Sequence, residues 1–135
     1  MKPEPVLVEA VVEAATRSSE WWPRAACRGM GIVQFADEPG LEGRRACARC
    51  PVRIDCLAEE ATVPPDEILG YRGGLRPEPR RQLLAVVRRR LPGGSRRVAV
   101  LHAVRTGAPV REAAAAYGVP VRTAYRWLVE ERLSA

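Results

Sequence analysis

The fold depends on the stretch Cys47-Ala48-Arg49-Cys50-Pro51-Val52-Arg53-Ile54-Asp55-Cys56, which holds three of the four cysteines of this 135-residue chain. The fourth, Cys27, lies upstream, so the spacing is C-x19-C-x2-C-x5-C. Two thiolates separated by two residues can bind one metal centre from a single turn, and a third can reach it from the helix that follows. Four thiolates complete a tetrahedral set, which suits either Zn²⁺ or an iron–sulfur cluster.

The residues around Cys50 predict how this stretch folds. Pro51 favours the first position of a helix, where its missing N–H would have no partner in any case. We therefore predict a helix over residues 51–61, with Cys50 near its N-cap, where the positive end of the helix would stabilise a thiolate.

Two other interpretations of the cysteines are a pair of disulfides and four unrelated buried thiols. The N-terminal residues Met1-Lys2-Pro3-Glu4-Pro5 lack the basic and apolar regions of a signal peptide, so we expect a cytoplasmic protein. Disulfides are rare in that compartment, and three cysteines within ten residues argue against unrelated thiols. The spacing favours a metal or cluster site, but it leaves zinc and iron–sulfur open.

Residues 21–85 resemble the WhiB-like proteins of actinobacteria. The matching segments include a tryptophan pair before the first cysteine, the cysteine trio, and a glycine turn that precedes a basic segment. As they stand in this chain, these are Trp21-Trp22-Pro23-Arg24-Ala25-Ala26-Cys27-Arg28, Phe35, Ala46-Cys47-Ala48-Arg49-Cys50-Pro51-Val52-Arg53, Cys56-Leu57, Gly70-Tyr71-Arg72-Gly73-Gly74-Leu75 and Pro79-Arg80-Arg81.

The resemblance implies a transcription regulator that responds to O₂ or nitric oxide. It implies a [4Fe–4S] cluster bound by Cys27, Cys47, Cys50 and Cys56. It also implies a partner, the last domain of the primary sigma factor of RNA polymerase, which the glycine turn helps to contact in the family. This chain departs from the family in that turn, because Arg72 stands where the family has a tryptophan.

The charges divide the chain into an acidic part and a basic part. Residues 1–71 carry 8 Lys/Arg and 12 Asp/Glu, net −4, whereas residues 72–135 carry 14 and 4, net +10. A basic part favours a polyanion, most simply DNA, because neutralising phosphates releases counterions. A solvated basic surface without a partner is the alternative. No apolar stretch is long enough for a membrane span, so we expect no membrane partner.

The fold class that we predict is all-α, in two small domains. Residues 1–91 form the cluster-binding domain, residues 92–95 a Pro-Gly-Gly-Ser linker, and residues 96–135 a helix-turn-helix domain. Within the first domain, periodic apolar residues predict helices over 5–20 and 77–91, and glycines and prolines predict a loop over 29–44. Leu83, Leu84, Val87 and Leu91 would form the apolar stripe of the helix over 77–91.

The glycine turn Gly70-Tyr71-Arg72-Gly73-Gly74 has three glycines in five residues, which indicates positive φ angles or close backbone approach. It lacks the G-x4-G-K-[ST] pattern of a phosphate-binding loop. The resemblance to WhiB-like proteins implies that this turn binds the protein partner. The helix behind it ends in Arg88, Arg89 and Arg90, which we predict to contact DNA; the alternative is that they only complement the helix C-terminus.

Residues 96–133 resemble a helix-turn-helix of the three-helix type. Ala114 is small where two helices would cross, Gly118 supplies the turn four residues later, and Val119 fills the corner. Ala124, Trp127 and Leu128 would give the third helix its buried stripe. A bundle that binds only proteins is the alternative interpretation.

The outer face of that third helix is the predicted DNA-reading surface. Its N-terminal residues would enter the major groove, where arginine suits bidentate contact with guanine. The candidate base contacts are Arg122, Tyr125 and Arg126, and the candidate phosphate contacts are Arg111 and Arg97.

No catalytic set is visible, so we expect no enzyme and no small-molecule substrate. His102 is the only histidine, and Glu59/Glu60 and Glu130/Glu131 are interpreted as solvated charge.

Two alternatives from other classes are a structural zinc adaptor without a sensing role and a thiol oxidoreductase that uses Cys47 and Cys50. The second lacks the βαβ context of such enzymes. Without the bound group, Cys47 and Cys50 are close enough to form a disulfide.

Overall fold

A computed structural model describes residues 2–17 and 20–133. The regular structure of these residues is helical, apart from one isolated antiparallel bridge between Arg72 and Leu75, which confirms the all-α fold class. Their α-helices are α1 (Pro5–Thr16), α2 (Leu41–Arg49), α3 (Arg53–Glu59), α4 (Pro77–Arg90), α5 (Gly94–Arg105), α6 (Val110–Ala116) and α7 (Val121–Leu133). Short 3₁₀ turns at Trp22–Arg24, Ile32–Phe35, Glu60–Thr62 and Pro65–Glu67 connect them.

The first hydrophobic core forms where α1, α3 and α4 pack together. Val11 of α1, Leu57 of α3 and Leu84 of α4 are each fully buried. Burying such a side chain stabilises the fold by about 1.5–3 kcal/mol relative to leaving it exposed. The stripe predicted for α4 is confirmed, because Leu83 and Val87 are also buried in this core.

Three sequence predictions for the first domain are corrected by the structure. Helix α1 ends at Thr16, because the backbone at Arg17 is extended; Ser18 and Ser19, part of the predicted helix over 5–20, lie outside the described residues. Helix α2 begins at Leu41, inside the predicted loop over 29–44. Cys50 is the C-cap of α2, and the next helix, α3, begins at Arg53 after Val52.

Arg80 of α4 connects this core to the glycine turn. Its side chain is fully buried (0% exposed), and its Nε donates to Glu60 Oε1 at 2.6 Å. Its terminal nitrogens donate to the carbonyl oxygens of Leu69, Gly70 and Leu75 at 2.6–2.8 Å. One buried guanidinium therefore pairs with a buried carboxylate and satisfies three backbone acceptors that no helix or strand serves.

Two further arginines of α4 act in the same way. Arg81 donates to two carbonyl oxygens of residues 65–68, and Arg88 donates to three carbonyl oxygens of residues 60–63. Arg88 is only 8% exposed. Its predicted contact with DNA is therefore wrong, because the side chain points into the protein and its donors are used there. Arg80, Arg81 and Arg88 of α4 therefore bind the segment over residues 60–75.

The second hydrophobic core forms between α5, α6 and α7. Ala114 and Ala124 are fully buried where the helices cross, as the sequence predicts. Gly118 has φ +65°, which makes the turn between α6 and α7, and the Val119 N–H donates to the Ala114 carbonyl at 2.9 Å. Trp127 of α7 is buried in this core.

The two cores are in direct contact. Helix α5 begins at Gly94, within the predicted linker over 92–95, so little chain separates α4 from α5. Arg105 of α5 donates a hydrogen bond to Thr62 Oγ1 in the 3₁₀ turn Glu60–Thr62 and forms an ion pair with Glu131 of α7. Among the described residues, the structure contains no helix with the length and apolar character that crossing a membrane requires.

We predict that Arg80→Met strongly destabilises the chain, because it leaves the buried Glu60 carboxylate without its partner and removes a donor from the carbonyls of Leu69, Gly70 and Leu75. Removing one partner of a buried ion pair costs about 3–5 kcal/mol. The free energy of unfolding, from urea titration followed by far-UV circular dichroism under reducing conditions, measures the effect.

Arg89→Ala on the exposed face of the same helix is the matched control, with an expected change within about 0.5 kcal/mol. An Arg80→Met variant as stable as the unmodified chain would show that this network is not what holds the segment over 60–75.

Candidate functional site

The four cysteines line one cavity of about 570 Å³. Cys27 lies in the turn after Trp22–Arg24, Cys47 in the last turn of α2, Cys50 at the end of α2, and Cys56 in α3. The Cys47 sulfur is close enough to Cys27, Cys50 and Cys56 for their charges to influence one another. All four are free thiols. The structure thus brings together four side chains that the sequence spreads over 30 residues.

The glycine turn forms one wall of this cavity. Arg72 and Leu75 exchange two backbone hydrogen bonds, 3.1 and 3.0 Å long, around Gly73 and Gly74, whose φ angles are +60° and +81°. This is the backbone of a two-residue hairpin that requires positive φ at both central positions, and glycine adopts it without a steric cost. The backbone of both glycines hydrogen-bonds the Cys47 sulfur.

Close packing gives a second reason for these glycines. A Cβ on Gly73 would lie 2.4 Å from Leu57 Cδ2, and a Cβ on Gly74 would lie 2.9 Å from Arg53 Nε. Leu57 is itself fully buried in the first core and has little room to move. The turn therefore sits directly on α3, whose residues Arg53, Cys56 and Glu59 also line the cavity.

Hydrogen bonds fix the turn from several sides. Arg53 Nε donates to the Gly73 carbonyl at 2.6 Å. The Tyr71 N–H donates to the Phe35 carbonyl at 2.8 Å, and the Gly70 N–H donates to Asp37 Oδ1 at 2.6 Å. Together with Arg80, these bonds hold the wall of the cavity in one position before any group is bound.

The environment of the sulfurs changes how easily they lose their protons. Burial raises the pKa of Cys47, and charge on Cys27 and Cys50 adds to the effect, whereas the backbone of Gly74 opposes it. Burial also raises the pKa of Cys56, against the attraction of the nearby Arg72 guanidinium. A group that binds these sulfurs as thiolates must therefore displace protons.

The two tryptophans form the outer wall of the cavity and do not belong to the core. Their rings meet edge to face, with centroids 6.4 Å apart. Trp21 Nε1 donates to Glu59 Oε2 of α3 at 2.8 Å, while Trp22 is 58% exposed. The structure thus places both tryptophans beside the cysteines and outside the two hydrophobic cores.

The arrangement of the sulfurs decides what they could hold. In residues 2–17 and 20–133, no three Cys, His, Asp or Glu side chains converge closely enough for one metal ion. A tetrahedral zinc site needs all its sulfurs within about 2.3 Å of one atom. In a cluster each sulfur binds a different iron, so the sulfurs lie further apart. Four thiols around one cavity are a donor set that suits an inorganic group bound through sulfur.

The candidate base contacts lie together on the exposed face of α7. Arg122, Tyr125 and Arg126 are exposed, and Tyr125 retains 49% of its accessible surface. Arg111, at the start of α6, is exposed as well. The opposite face of α7, with Ala124, packs on the second core, so this polar face is presented outward by the fold.

Two other arginines predicted to contact DNA have partners inside the protein. Arg97 lies 5.9 Å from the Trp127 ring, and its Nη1 donates to Glu130 Oε2 at 2.9 Å, so its side chain is only 13% exposed. Its side chain is therefore already paired within the protein, and its role at a phosphate stays a prediction. Arg90 is half exposed and pairs with Glu9 of α1 at 2.6 Å. Arg89 is exposed.

Sequence reasoning missed the residues that support the site. Glu60 was interpreted as solvated charge, but it is 7% exposed and pairs with Arg80. Its position three residues after the buried Leu57, directly after the end of α3, is the pattern that could have revealed it. The sequence motif includes Arg53 but does not indicate its role. Its hydrogen bond to the glycine turn joins residues that are 20 positions apart in the sequence.

Comparisons with known proteins agree with both parts of the chain. A family model described as "Transcription factor WhiB" matches residues 21–83, and one described as "Homeodomain-like domain" matches residues 94–130. A protein of Streptomyces coelicolor, "Transcriptional regulator WhiD", is 34% identical over 82 residues, covering 53% of this chain and 71% of the relative. No solved structure matches the chain significantly.

We predict that Gly73→Ala disrupts the cysteine cavity, because the new Cβ needs both a strained φ and the space of Leu57. Gly29→Ala is the matched control: its φ of +79° imposes a similar backbone strain, but nothing lies within 4 Å of the added Cβ. Urea titration of the reduced, unloaded proteins compares the two free energies of unfolding.

We expect Gly73→Ala to lose clearly more stability than Gly29→Ala, with overpacking costing about 1–3 kcal/mol beyond the shared strain. Equal losses would show that close packing of the turn on α3 is unimportant.

Proposed function

Because the chain belongs to the WhiB family of transcription factors and is a transcriptional regulator, we propose that it couples a cysteine-bound [4Fe–4S] cluster to DNA binding. Cys27, Cys47, Cys50 and Cys56 are the proposed ligands, and the helix-turn-helix over 94–133 is the proposed DNA reader. The proposed stimulus is oxidation or nitric oxide, and the proposed compartment is the cytoplasm.

The observation that carries this proposal is the convergence of four free cysteines on one cavity whose wall is already held in place. When bound there, an iron–sulfur cluster supplies a one-electron centre that reacts with oxygen and nitric oxide. The chain contributes the four sulfurs, backbone contacts from Gly73 and Gly74, and an aromatic wall from Trp21 and Trp22 that limits access of solvent.

Without a bound cluster, two of the cysteines can themselves be oxidised. Cys47 and Cys50 lie one turn apart, and the Cys50 N–H donates to the Cys47 carbonyl at 3.3 Å. We propose that these two thiols form a disulfide once the cluster is lost, with transfer of two electrons and two protons to an oxidant such as O₂. This would prevent the cysteines from rebinding a cluster until a thiol reductant restores them.

The proposed link between the cysteines and the DNA reader is a set of direct contacts. Glu60 pairs with Arg80 and lies 4.0 Å from Arg72, which faces Cys56. The same 3₁₀ turn carries Thr62, which accepts a hydrogen bond from Arg105 of α5. Arg105 is in turn paired with Glu131 of α7. A shift of the 3₁₀ turn at residues 60–62 would therefore move Arg105 and, through it, act on both α5 and α7.

A protein partner is part of the proposal as well. Trp22, Ile32 and Leu69 line the cavity mouth and are 58%, 90% and 66% exposed, which forms an apolar rim of the kind that binds proteins. From the family resemblance we propose the primary sigma factor of RNA polymerase for this surface. An anaerobic pull-down with polymerase tests it, and failure to retain sigma factor would contradict it.

We predict that the chain purified without oxygen is brown and contains iron and acid-labile sulfide in equal amounts. Cys27→Ser should lose most of both, since it removes one of four ligands, whereas the neighbouring surface substitution Ala48→Ser should keep them. A colourless protein with stoichiometric zinc would contradict the cluster and favour the zinc adaptor.

We predict that Arg122→Ala and Arg126→Ala each weaken binding at a specific DNA site by about 1–3 kcal/mol, because each removes a base contact. Arg45→Ala, an equally exposed arginine on α2, is the charge-matched control. Fluorescence anisotropy at several salt concentrations, on a site selected from a random library, measures the affinities. Unchanged affinity in both α7 variants would move the DNA contact elsewhere.

A further inference from the structure

Arg72 lines the same cavity as the four cysteines. Its backbone is fixed by the two hydrogen bonds to Leu75, and its side chain is 36% exposed, with the guanidinium turned toward the protein. A hydrogen bond and charge attraction connect that guanidinium to the Cys56 side chain. The side chain therefore faces the candidate ligands and not the solvent side of the turn.

The guanidinium has donor capacity that the protein does not use. Its Nε is buried and has no hydrogen-bond partner within the described part of the chain. Glu60 Oε1 is 4.0 Å from this nitrogen, which is too long for a hydrogen bond, and it already accepts from Arg80 at 2.6 Å. A buried donor without an acceptor costs about 1–3 kcal/mol, so a small shift of this side chain that brings Nε to an acceptor would be favoured.

The charge of Arg72 also favours a role at the cysteine site. Four thiolates around one inorganic group would concentrate negative charge in this cavity, where a nearby opposite charge is favoured. The cations that line the cavity are Arg53 and Arg72, and Arg53 Nε is engaged with the Gly73 carbonyl at 2.6 Å. Arg72 is the cavity-lining cation whose hydrogen bond and charge act on a candidate ligand, the Cys56 sulfur.

We propose that Arg72 is a positioning and tuning residue of the cysteine site, a cationic hydrogen-bond donor to the Cys56 sulfur and to the bound iron–sulfur group. The inference rests on the proposed function, since it requires an anionic cluster on the four cysteines. Hydrogen bonds to cluster sulfurs and nearby positive charge stabilise the more negative, reduced state, which raises the reduction potential. In this chain the turn residue that faces the cavity therefore serves the cluster electrostatically.

The test compares the intact chain with Arg72→Gln, Arg72→Lys and Arg72→Trp, all purified and reconstituted without oxygen. The midpoint potential comes from a mediated redox titration followed by visible absorption and electron paramagnetic resonance. The second readout is the rate at which an iron chelator removes the cluster. Arg76→Gln is the control. Arg76 directly follows the hairpin, pairs with Glu38 and does not line the cavity.

We expect Arg72→Gln and Arg72→Trp to lower the equilibrium constant for one-electron reduction at least tenfold, which is a shift of about 59 mV to more negative potential. Both should also lose the cluster faster. Arg72→Lys, which keeps the charge but not the planar donor group, should lie between them and the unmodified chain. Arg76→Gln should match the unmodified chain in both measurements.

An Arg72→Gln variant with the potential and chelation rate of the unmodified chain would overturn the inference. If the glutamine variant cannot retain a cluster, the lysine variant decides: retention by lysine supports the role of charge, and equal loss in both contradicts it. An unmodified chain that binds no cluster would refute the proposed function itself, which is a different and separately visible outcome.

Discussion

The structure depends on one buried ion pair, Arg80 with Glu60, and on the three carbonyls that Arg80 also serves. Residues 60–75 leave α3 and form neither a long helix nor a strand, so their backbone acceptors need partners from elsewhere. Helix α4 supplies those partners from its arginines, while its leucines fill the first core. A buried charge pair of this kind stabilises little by itself, but breaking it is costly, and so it specifies one position for the segment.

That position makes the cysteine site possible. The segment carries the glycine turn, and the turn presents backbone contacts to Cys47 and the guanidinium of Arg72 to Cys56. The same segment begins with the 3₁₀ turn that contacts Arg105 in the DNA-reading domain. The arginine network, the sulfur cavity and the helix-turn-helix therefore share one structural element. A short series of direct contacts therefore connects the sulfurs to α7, and the proposal that the cysteine site controls DNA binding rests on it.

Features that are set by neighbouring residues in the sequence were predictable. Side-chain pairs between residues far apart in the sequence were not. The cysteine spacing, the stripe of α4 and the corner at Gly118 follow from local periodicity and turn chemistry, and the structure agrees with them. Cys50 was placed at a helix start because Pro51 suggested one, yet the run of helix-forming residues before it continues α2 up to that cysteine. Arg88 and Glu60 were read as surface because charged residues usually are. Their burial is set by partners 20 or more positions away, which composition and periodicity do not reveal.

The central claim is that the cysteine cavity and the DNA-reading domain respond together through residues 60–75. Amide hydrogen exchange, compared between the cluster-loaded chain and the same chain after anaerobic removal of the cluster, tests this claim most directly. The account predicts faster exchange at residues 70–75 together with faster exchange in α5 and α7. Faster exchange confined to the cysteine region, with α5 and α7 unchanged, would contradict it and leave two independent halves on one chain.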